Sequence, residues 1–235
     1  MVSVCMATYN GERYLREQID SILAQLEPED ELIVSDDGSV DATLSILDSY
    51  SDPRVKVYHN EGTHGVNANF ENALSHTNGD YIFLSDQDDV WLPGKVRKCV
   101  ATLTESDLVL HNATIVDTDL RPLGKSLFDE LHPQGRVLRN LMRNEFTGCC
   151  MAFRKDVLKY VTPFPKTVPF YHDSWIGLLV GLKGKINILS DELLLFRRHM
   201  HNNSSAGTQS KNGLSKKILI RLSLVYNLTK RLCGR

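Results

Sequence analysis

The sequence predicts an α/β protein with a parallel, doubly wound sheet. Two observations lead to this prediction: short apolar runs alternate with segments whose apolar residues recur at helical spacing, and polar clusters follow directly after three of the apolar runs. Strands separated by helices pair in parallel, because the crossover helix returns the chain to the same edge of the sheet. Ligands of such sheets bind beyond the carboxyl ends of the strands. We therefore expect the three polar clusters to share one site.

Each element of the first half follows from its own pattern. The first helix is predicted from apolar residues such as Leu15, Ile19 and Ile22, and the second from Asp41, whose side chain can cap a helix start. The predicted strands are residues 2–7, 31–35, 55–58 and 81–84. The predicted helices between and around them are residues 14–26, 41–50 and 66–75.

The composition is that of a globular domain and excludes several classes of protein. Hydrophobic residues make up 42 % and charged residues 24 % of the 235 residues, which argues against disorder and against a disulfide miniprotein. No run approaches the roughly 20 apolar residues that span a bilayer, and the first residues lack the pattern of a signal peptide. The five cysteines include no C-x-x-C pair, so we expect reduced thiols in a cytoplasmic protein.

Charge is distributed unevenly along the chain. The residues up to Glu192 carry 18 basic and 29 acidic side chains, whereas the residues after it carry nine basic side chains and no acidic one. Residues 201–213 are polar and are predicted to form a linker. A body and a tail of opposite charge suggest that the two parts have different partners.

The tail is predicted to end in a basic amphipathic helix. Its apolar residues lie close to one helical stripe: Leu214, Ile218, Leu222, Val225 and Leu232. Such a helix can lie on an anionic membrane surface, or it can pack on the body of the protein with its charges in water. The sequence leaves both interpretations open.

The strongest local signal is an acidic cluster after the fourth predicted strand. Asp86, Asp88 and Asp89 lie within four residues, and their charges repel one another. A divalent cation would offset this repulsion, and oxygen ligands suit Mg²⁺ or Mn²⁺. The alternative is a solvated acidic turn that caps the helix after Pro93.

Two further polar clusters follow the first and second strands. The first contains Thr8, Tyr9 and Glu12, of which Tyr9 can stack on a nucleotide base. The second contains Asp36 and Asp37, where a carboxylate can accept a hydrogen bond from a pyrimidine ring N–H or a ribose hydroxyl. Either cluster can also be an ordinary turn, because Gly, Asp and Asn favour turns.

Together the clusters resemble the family 2 glycosyltransferases of the GT-A fold. The similarity rests on VSVCMATYNGE, ELIVSDDGSVD and GDYIFLSDQDDVW in this order, and it extends to FTGCCMAFRKD, HDSW and LFRRHMHNNS. It covers residues 2 to about 203 and implies a mixed, mostly parallel sheet flanked by helices. It also implies a nucleotide-binding half at about 1–91 and an acceptor half at about 92–203, with residues 204–235 as linker and tail.

The resemblance implies a role for each matching residue. The nucleotide sugar would be bound by Thr8, Tyr9, Glu12, Asp37, Asp86 and Arg197. Asp88 and His199 would hold Mg²⁺ or Mn²⁺ at the diphosphate. Asp173 would be the general base, although without the resemblance we would expect it to cap the helix that follows. Many family members have Glu where this chain has His172.

The implied activity is inverting, metal-dependent transfer of a sugar. The DQDDVW form is similar to that of bacterial rhamnosyltransferases and other transferases of surface polysaccharides. The resemblance implies a donor such as dTDP-L-rhamnose or a UDP-hexose and an acceptor hydroxyl on a cell-surface glycan or lipid-linked oligosaccharide. Action at the inner face of the cell membrane is expected, and no nucleic acid partner is expected.

Two other functions fit part of the pattern. A nucleotidyltransferase can use a similar sheet and acidic site, but the Gly-rich loop followed by Arg and Lys that is typical of that class is missing after the first strand. A non-catalytic glycan-binding module would not need Asp86, Asp88, Asp173 and His199 together. The sequence therefore favours the transferase.

Overall fold

The computed structural model describes residues 1–166, 168–199 and 213–234. The strands are Val2–Thr8 (β1), Glu31–Asp36 (β2), Val55–His59 (β3), Tyr81–Ser85 (β4), Val90–Trp91 (β5), Leu108–Val116 (β6), Pro122–Ser126 (β7), Met151–Arg154 (β8) and Ile186–Arg197 (β9). The α-helices are Leu15–Leu23 (α1), Thr43–Asp48 (α2), Val66–Ser75 (α3), Lys95–Leu103 (α4), Leu127–Leu131 (α5), Val137–Met142 (α6), Leu158–Val161 (α7), His172–Lys183 (α8) and Leu214–Leu232 (α9).

The first half of the chain forms the predicted parallel sheet. β1 pairs in parallel with both β2 and β4, and β2 pairs in parallel with β3. Val4, Cys5 and Met6 of β1 are fully buried, because helices cover the sheet and a central parallel strand is then apolar on both faces. The chain leaves β1 toward β2 and β3 and returns on the other side at β4, so the topological switch point lies between β1 and β4.

The second half makes the sheet mixed. The strand order is β3-β2-β1-β4-β8-β6-β9-β5, and β7 pairs with β6. β8 is antiparallel to both β4 and β6, whereas β6 and β9 are parallel. The mixed, mostly parallel sheet that the family resemblance implied is thereby confirmed. Short apolar runs do not encode strand direction, which depends on the route of the connections.

The predicted elements of the first half are confirmed with small shifts at their ends. α1 begins at Leu15 and stops at Leu23, three residues before the predicted end. α2 begins at Thr43, whose N–H donates to Asp41 Oδ1 at 3.0 Å, so Asp41 does stabilise this helix start. α3 has the predicted bounds, Val66–Ser75.

The C-terminal helix packs on the body through a face that the sequence analysis did not single out. Leu224 and Leu228 of α9 are buried in the core. The predicted stripe lies elsewhere on the helix, because Ile218, Leu222 and Val225 are exposed. The predicted linker, residues 201–213, lies outside the described residues except for Gly213. Within the described ranges, no helix has the length and apolar character needed to cross a bilayer.

Candidate active site

The loop after β1 is held by a residue that the sequence analysis missed. Gln87 accepts a hydrogen bond from the Tyr9 N–H at 2.9 Å and donates to the Tyr9 carbonyl at 3.1 Å. A side chain at Gly11 would displace the Gln87 amide from these two hydrogen bonds. Tyr9 is 55 % exposed, so its ring can stack on a base without first leaving the protein core.

Asp37 is fixed at the end of β2 by the loop that precedes α3. Its carboxylate accepts from Asn60 Nδ2 at 2.7 Å and from the Gly65 N–H at 2.8 Å, and it contacts His64 Nδ1 at 3.1 Å. A carboxylate can accept about four hydrogen bonds, so Asp37 keeps some capacity for a ligand N–H. The loop therefore orients Asp37 before any ligand binds.

Two predicted binding residues support the site instead of lining it. Thr8 is 1 % exposed, and its hydroxyl donates to Asp36 Oδ1 at 3.1 Å. Asp36 in turn accepts the N–H groups of Gly38 and Ser39 and so closes the turn. Glu12 accepts the Ala42 N–H at 2.8 Å. The Thr8 hydroxyl is buried beneath the turn, and a contact of Thr8 with the nucleotide stays a prediction.

The acidic cluster meets the C-terminal end of β9. Asp88 Oδ2 lies 2.8 Å from His199 Nε2, although the two residues are 111 positions apart. Both side chains remain partly exposed. Gln18 of α1 holds the backbone beneath this cluster, because its amide donates to the Asp86 carbonyl at 3.0 Å. The structure thus brings together the two residues predicted as metal ligands.

Arg197 lies beneath the acidic turn. Its side chain is 2 % exposed, its Nε–H donates to the Asp88 carbonyl at 2.8 Å, and its guanidinium pairs with Glu17 and bonds the Thr118 carbonyl. The backbone N–H of Arg197 donates to Asp89 Oδ1 at 3.0 Å. These contacts make Arg197 a positioning residue for the acidic turn, and its binding of the nucleotide sugar stays a prediction.

Asp89 does not cap the helix that follows. α4 begins at Lys95 after Gly94, which has a φ of 88° and takes no side-chain cap. Asp89 is buried against the Arg197 backbone, and burial raises its pKa well above the usual range. The interpretation of the acidic cluster as a solvated helix-capping turn is therefore wrong for this residue.

Replacing Arg197 should destabilise the acidic turn. Arg197→Met leaves the partly buried Asp88 and Thr118 carbonyls without their donor, and we expect it to lower the free energy of unfolding by about 3 kcal/mol. Glu17→Gln is the matched control, because Glu17 is half exposed and should cost less than about 1 kcal/mol. Urea denaturation of both variants measures the difference. Equal stability of the two variants would contradict the positioning role.

Asp173 occupies the first turn of α8. The helix starts after Tyr171, so Asp173 is its second residue and not its cap. Asn67 anchors this start, because its side chain accepts the His172 N–H and donates to the Phe170 carbonyl, both at 2.8 Å. The carboxylate Oδ1 accepts the Ser174 N–H at 2.6 Å. The prediction of an N-cap is corrected.

The environment of Asp173 gives it the proton affinity of a base that works near neutral pH. Burial raises the pKa of Asp173 to about 6. Asp86 is near enough for their charges to interact, and burial together with the charges of Asp88 and Asp173 raises the pKa of Asp86 to about 7. A general base is most effective when its pKa lies near the working pH.

His172 is a neutral packing residue beside Asp173. Its ring lies 4.0 Å from the Phe70 ring and fills the space that a side chain at Gly148 would need. Burial lowers the pKa of His172 to about 3, so the ring carries no charge at neutral pH. His172, which stands where many family members have Glu, therefore adds no charge to the site.

Among the residues that the structure describes, two sets could hold a cation. Oxygen and sulfur atoms of Asp86, Asp89 and Cys149 lie within 4.8 Å of one another, but Asp89 and Cys149 are buried and Asp89 is bonded to the backbone of Arg197. Asp88 and His199 are partly exposed and offer a carboxylate oxygen and an imidazole nitrogen. Mg²⁺ and Mn²⁺ need only one or two carboxylates when a diphosphate supplies further oxygens, so Asp88 and His199 fit the group better.

Comparison with known sequences gives the family to which this fold belongs. The family described as glycosyl transferase family 2 matches residues 3–162, which is more than half of the chain. The chain belongs to this family.

Similar proteins agree with the assignment. The Escherichia coli protein WfgD, named as a UDP-Glc:α-D-GlcNAc-diphosphoundecaprenol β-1,3-glucosyltransferase, is 28 % identical over 76 % of this chain and 70 % of its own. Staphylococcus aureus TarS 1–349, solved with UDP-GlcNAc, superposes with a TM-score of 0.73 at 22 % identity over 98 % of this chain and 66 % of that fragment. Glucosyl-3-phosphoglycerate synthase of Mycobacterium tuberculosis, solved with Mn²⁺, UDP and phosphoglyceric acid, superposes with a TM-score of 0.60. Its identity is 21 %, over 98 % of this chain and 78 % of that chain. The last two show a shared GT-A fold, and this chain spans only about two thirds of the TarS fragment.

Proposed function

We propose that this glycosyltransferase is an inverting, metal-dependent enzyme that moves a sugar from a nucleoside diphosphate to an acceptor hydroxyl. One observation carries the proposal: Asp173, a buried carboxylate with a pKa raised to about 6, is near enough to interact through its charge with Asp86, and Asp86 belongs to the acidic cluster that contains the Asp88–His199 pair. A proton acceptor and a cation site are thereby adjacent. These are the two chemical groups that direct displacement of a diphosphate requires.

The donor half would hold the nucleotide through Tyr9 and Asp37. The exposed ring of Tyr9 offers a stacking surface, and the oriented carboxylate of Asp37 offers an acceptor for a pyrimidine ring N–H. Asp86 would contact the ribose that follows the base. Asp88 and His199 would hold Mg²⁺ or Mn²⁺, which when bound supplies positive charge to the departing diphosphate.

The acceptor half would supply the base. Asp173 takes the proton of the acceptor hydroxyl while the hydroxyl oxygen forms a bond to the anomeric carbon. The bond from that carbon to the diphosphate oxygen breaks, and the nucleoside diphosphate leaves with the electron pair. Attack opposite to the leaving group inverts the anomeric centre, and no covalent sugar–enzyme intermediate is needed.

The donor we propose is a pyrimidine nucleotide sugar, either dTDP-L-rhamnose or a UDP-hexose. Its support is the DQDDVW form in this sequence and the UDP sugars in the name of WfgD and the TarS complex. The acceptor class, a glycan or a lipid-linked oligosaccharide, is supported by the diphosphoundecaprenol acceptor in the name of WfgD.

A donor panel tests this function. The full chain with Mn²⁺ is heated alone and with dTDP-L-rhamnose, UDP-glucose, UDP-GlcNAc, GDP-mannose, UTP and dTTP. A donor present at a hundred times its Kd stabilises the fold by about 3 kcal/mol, and slow hydrolysis should release the nucleoside diphosphate. Pyrophosphate release from a triphosphate would favour the nucleotidyltransferase. No response to any nucleotide would favour the glycan-binding module.

A further inference from the structure

The surface formed by α6 and α9 exposes large apolar side chains. Leu138 is 80 % and Met142 66 % exposed on α6, and Leu219, Leu222 and Tyr226 are all more than 60 % exposed on α9. We define the α6/α9 face by the residues Leu138, Met142, Ile218, Leu219, Leu222 and Tyr226. Leu222 follows Ile218 by four and Leu219 by three residues, and Tyr226 follows Leu222 by four, so the α9 members lie on one side of that helix. Exposed apolar patches of this kind mark interaction surfaces.

The exposure of this face follows from a fixed orientation of α9. Leu224 and Leu228 are buried on the opposite side of the helix. The Arg231 guanidinium donates to the Tyr160 and Thr162 carbonyls at 2.9 Å, and Arg221 donates to the Met142 carbonyl. Because α9 is tied to the body near its middle and near its C-terminal end, the helix cannot turn its apolar face inward without breaking these contacts.

The charged side chains of α6 and α9 are all basic. Lys216 and Lys230 are exposed on α9, and Arg136 and Arg143 are exposed at the two ends of α6. Neither α6 nor α9 contains an acidic residue. A second copy of the chain on this face would bring like charges together, whereas an anionic surface would be attracted to them.

The face lies beside the acceptor half of the site. Asn144, two residues after Met142, hydrogen-bonds the Asp173 carboxylate. Arg231 lies 5.3 Å from the ring of Trp175, which is two residues from Asp173 in α8. A surface bound to the α6/α9 face is therefore close to the proposed base.

We propose that the α6/α9 face binds the headgroup layer of an anionic bilayer and holds Asp173 near the hydroxyl of a lipid-linked acceptor. The apolar side chains enter the boundary between headgroups and acyl chains, and the lysines and arginines bind the anionic headgroups. The statement about the acceptor rests on the proposed function. Binding to the bilayer does not depend on that function.

Vesicle flotation of the full chain tests the proposal without a donor. One set of vesicles contains equal parts of phosphatidylglycerol and phosphatidylcholine, and the other contains phosphatidylcholine alone. We expect the protein to float with the anionic vesicles and to be released by salt. Leu219→Ser combined with Leu222→Ser should reduce the partition coefficient about tenfold or more. Lys216→Gln and Lys230→Gln should each reduce it about fivefold.

Matched controls make each outcome decisive. Leu123→Ser removes an exposed leucine from β7, away from the face, and should float like the unaltered protein. Leu222→Glu places a repelling charge on the face and serves if the double variant is poorly folded. Equal flotation of the face variants and the unaltered protein would overturn the proposal. A dimer that dissociates on Leu222→Glu in sedimentation velocity would overturn it in favour of a second copy. Donor hydrolysis by the same variants, measured without vesicles, tests the proposed function separately.

Discussion

Asp173→Asn is expected to lower kcat by about 10²–10⁴ while the affinity for the donor stays near that of the unaltered enzyme. The amide keeps the shape of the side chain and its hydrogen bond to the Ser174 N–H, but it cannot take the proton of the acceptor. Initial rates with acceptor give kcat, and calorimetric titration with the donor gives Kd. A collapse of donor affinity with a high residual kcat would make Asp173 a donor-site residue.

The pH dependence of the unaltered enzyme should report the same group. Because burial raises the pKa of Asp173 to about 6, kcat should fall tenfold for each pH unit below about 6, where the carboxylate is protonated. Asp173→Glu is the conservative variant: it keeps a titrating carboxylate and should retain an acidic limb, whereas Asp173→Asn should show none. An acidic limb that persists in Asp173→Asn would assign the titration to another group.

As the pH rises, the titration of Asp173 should lower the stability of the fold while it raises the activity. The pKa of Asp173 is higher in the folded state than its ordinary value of 3.8. The protonated carboxyl therefore favours the folded state more than the charged carboxylate does. This contribution to stability is complete below about pH 4 and is lost as the pH rises through 6. The shift corresponds to roughly 3 kcal/mol. Asp173→Asn removes the buried charge. The Tm of this variant should exceed the Tm of the unaltered protein, and the difference should be larger at pH 8 than at pH 5. A lower Tm at pH 8 would argue that the charged form is stabilised in the fold.

Asp88→Asn should remove most metal-dependent turnover. The neutral amide is a poorer ligand, and a bound cation contributes several kcal/mol to stabilising the leaving diphosphate, so we expect kcat to fall about 10²-fold or more. Activity is measured after EDTA treatment while Mn²⁺ is added back, and Mn²⁺ binding is followed by its paramagnetic effect on water relaxation. His199→Gln should weaken Mn²⁺ binding in the same assay.

Cys149→Ser is the control that separates the two candidate cation sites. If Asp88 and His199 hold the cation, this variant should bind Mn²⁺ normally, because Cys149 belongs only to the buried set with Asp86 and Asp89. If Cys149→Ser loses Mn²⁺ affinity and Asp88→Asn keeps it, the assignment is wrong. Asp89→Asn should affect stability more than metal affinity, since Asp89 Oδ1 is bonded to the Arg197 N–H.

The amino-acid sequence alone determined the first four strands and the edge of the sheet where the site lies. Val4, Cys5 and Met6 belong to a continuous apolar run, and a strand buried on both faces needs such a run. Asp37 and Asp88 follow strands that are parallel, so their proximity to one edge could be predicted without knowing the packing. The family assignment also came from these local segments and was confirmed.

Only the tertiary structure decided which of these side chains face a ligand. Thr8 and Arg197 are both in matching segments, yet Thr8 is buried under Asp36, and Arg197 pairs with Glu17, 180 positions away in the chain. The same holds for α9, whose stripe of apolar residues was predicted but whose buried side was not. A periodic pattern of apolar residues indicates that a helix has an apolar face. Which face is buried depends on the surface it meets, and that surface is built from residues far away in sequence.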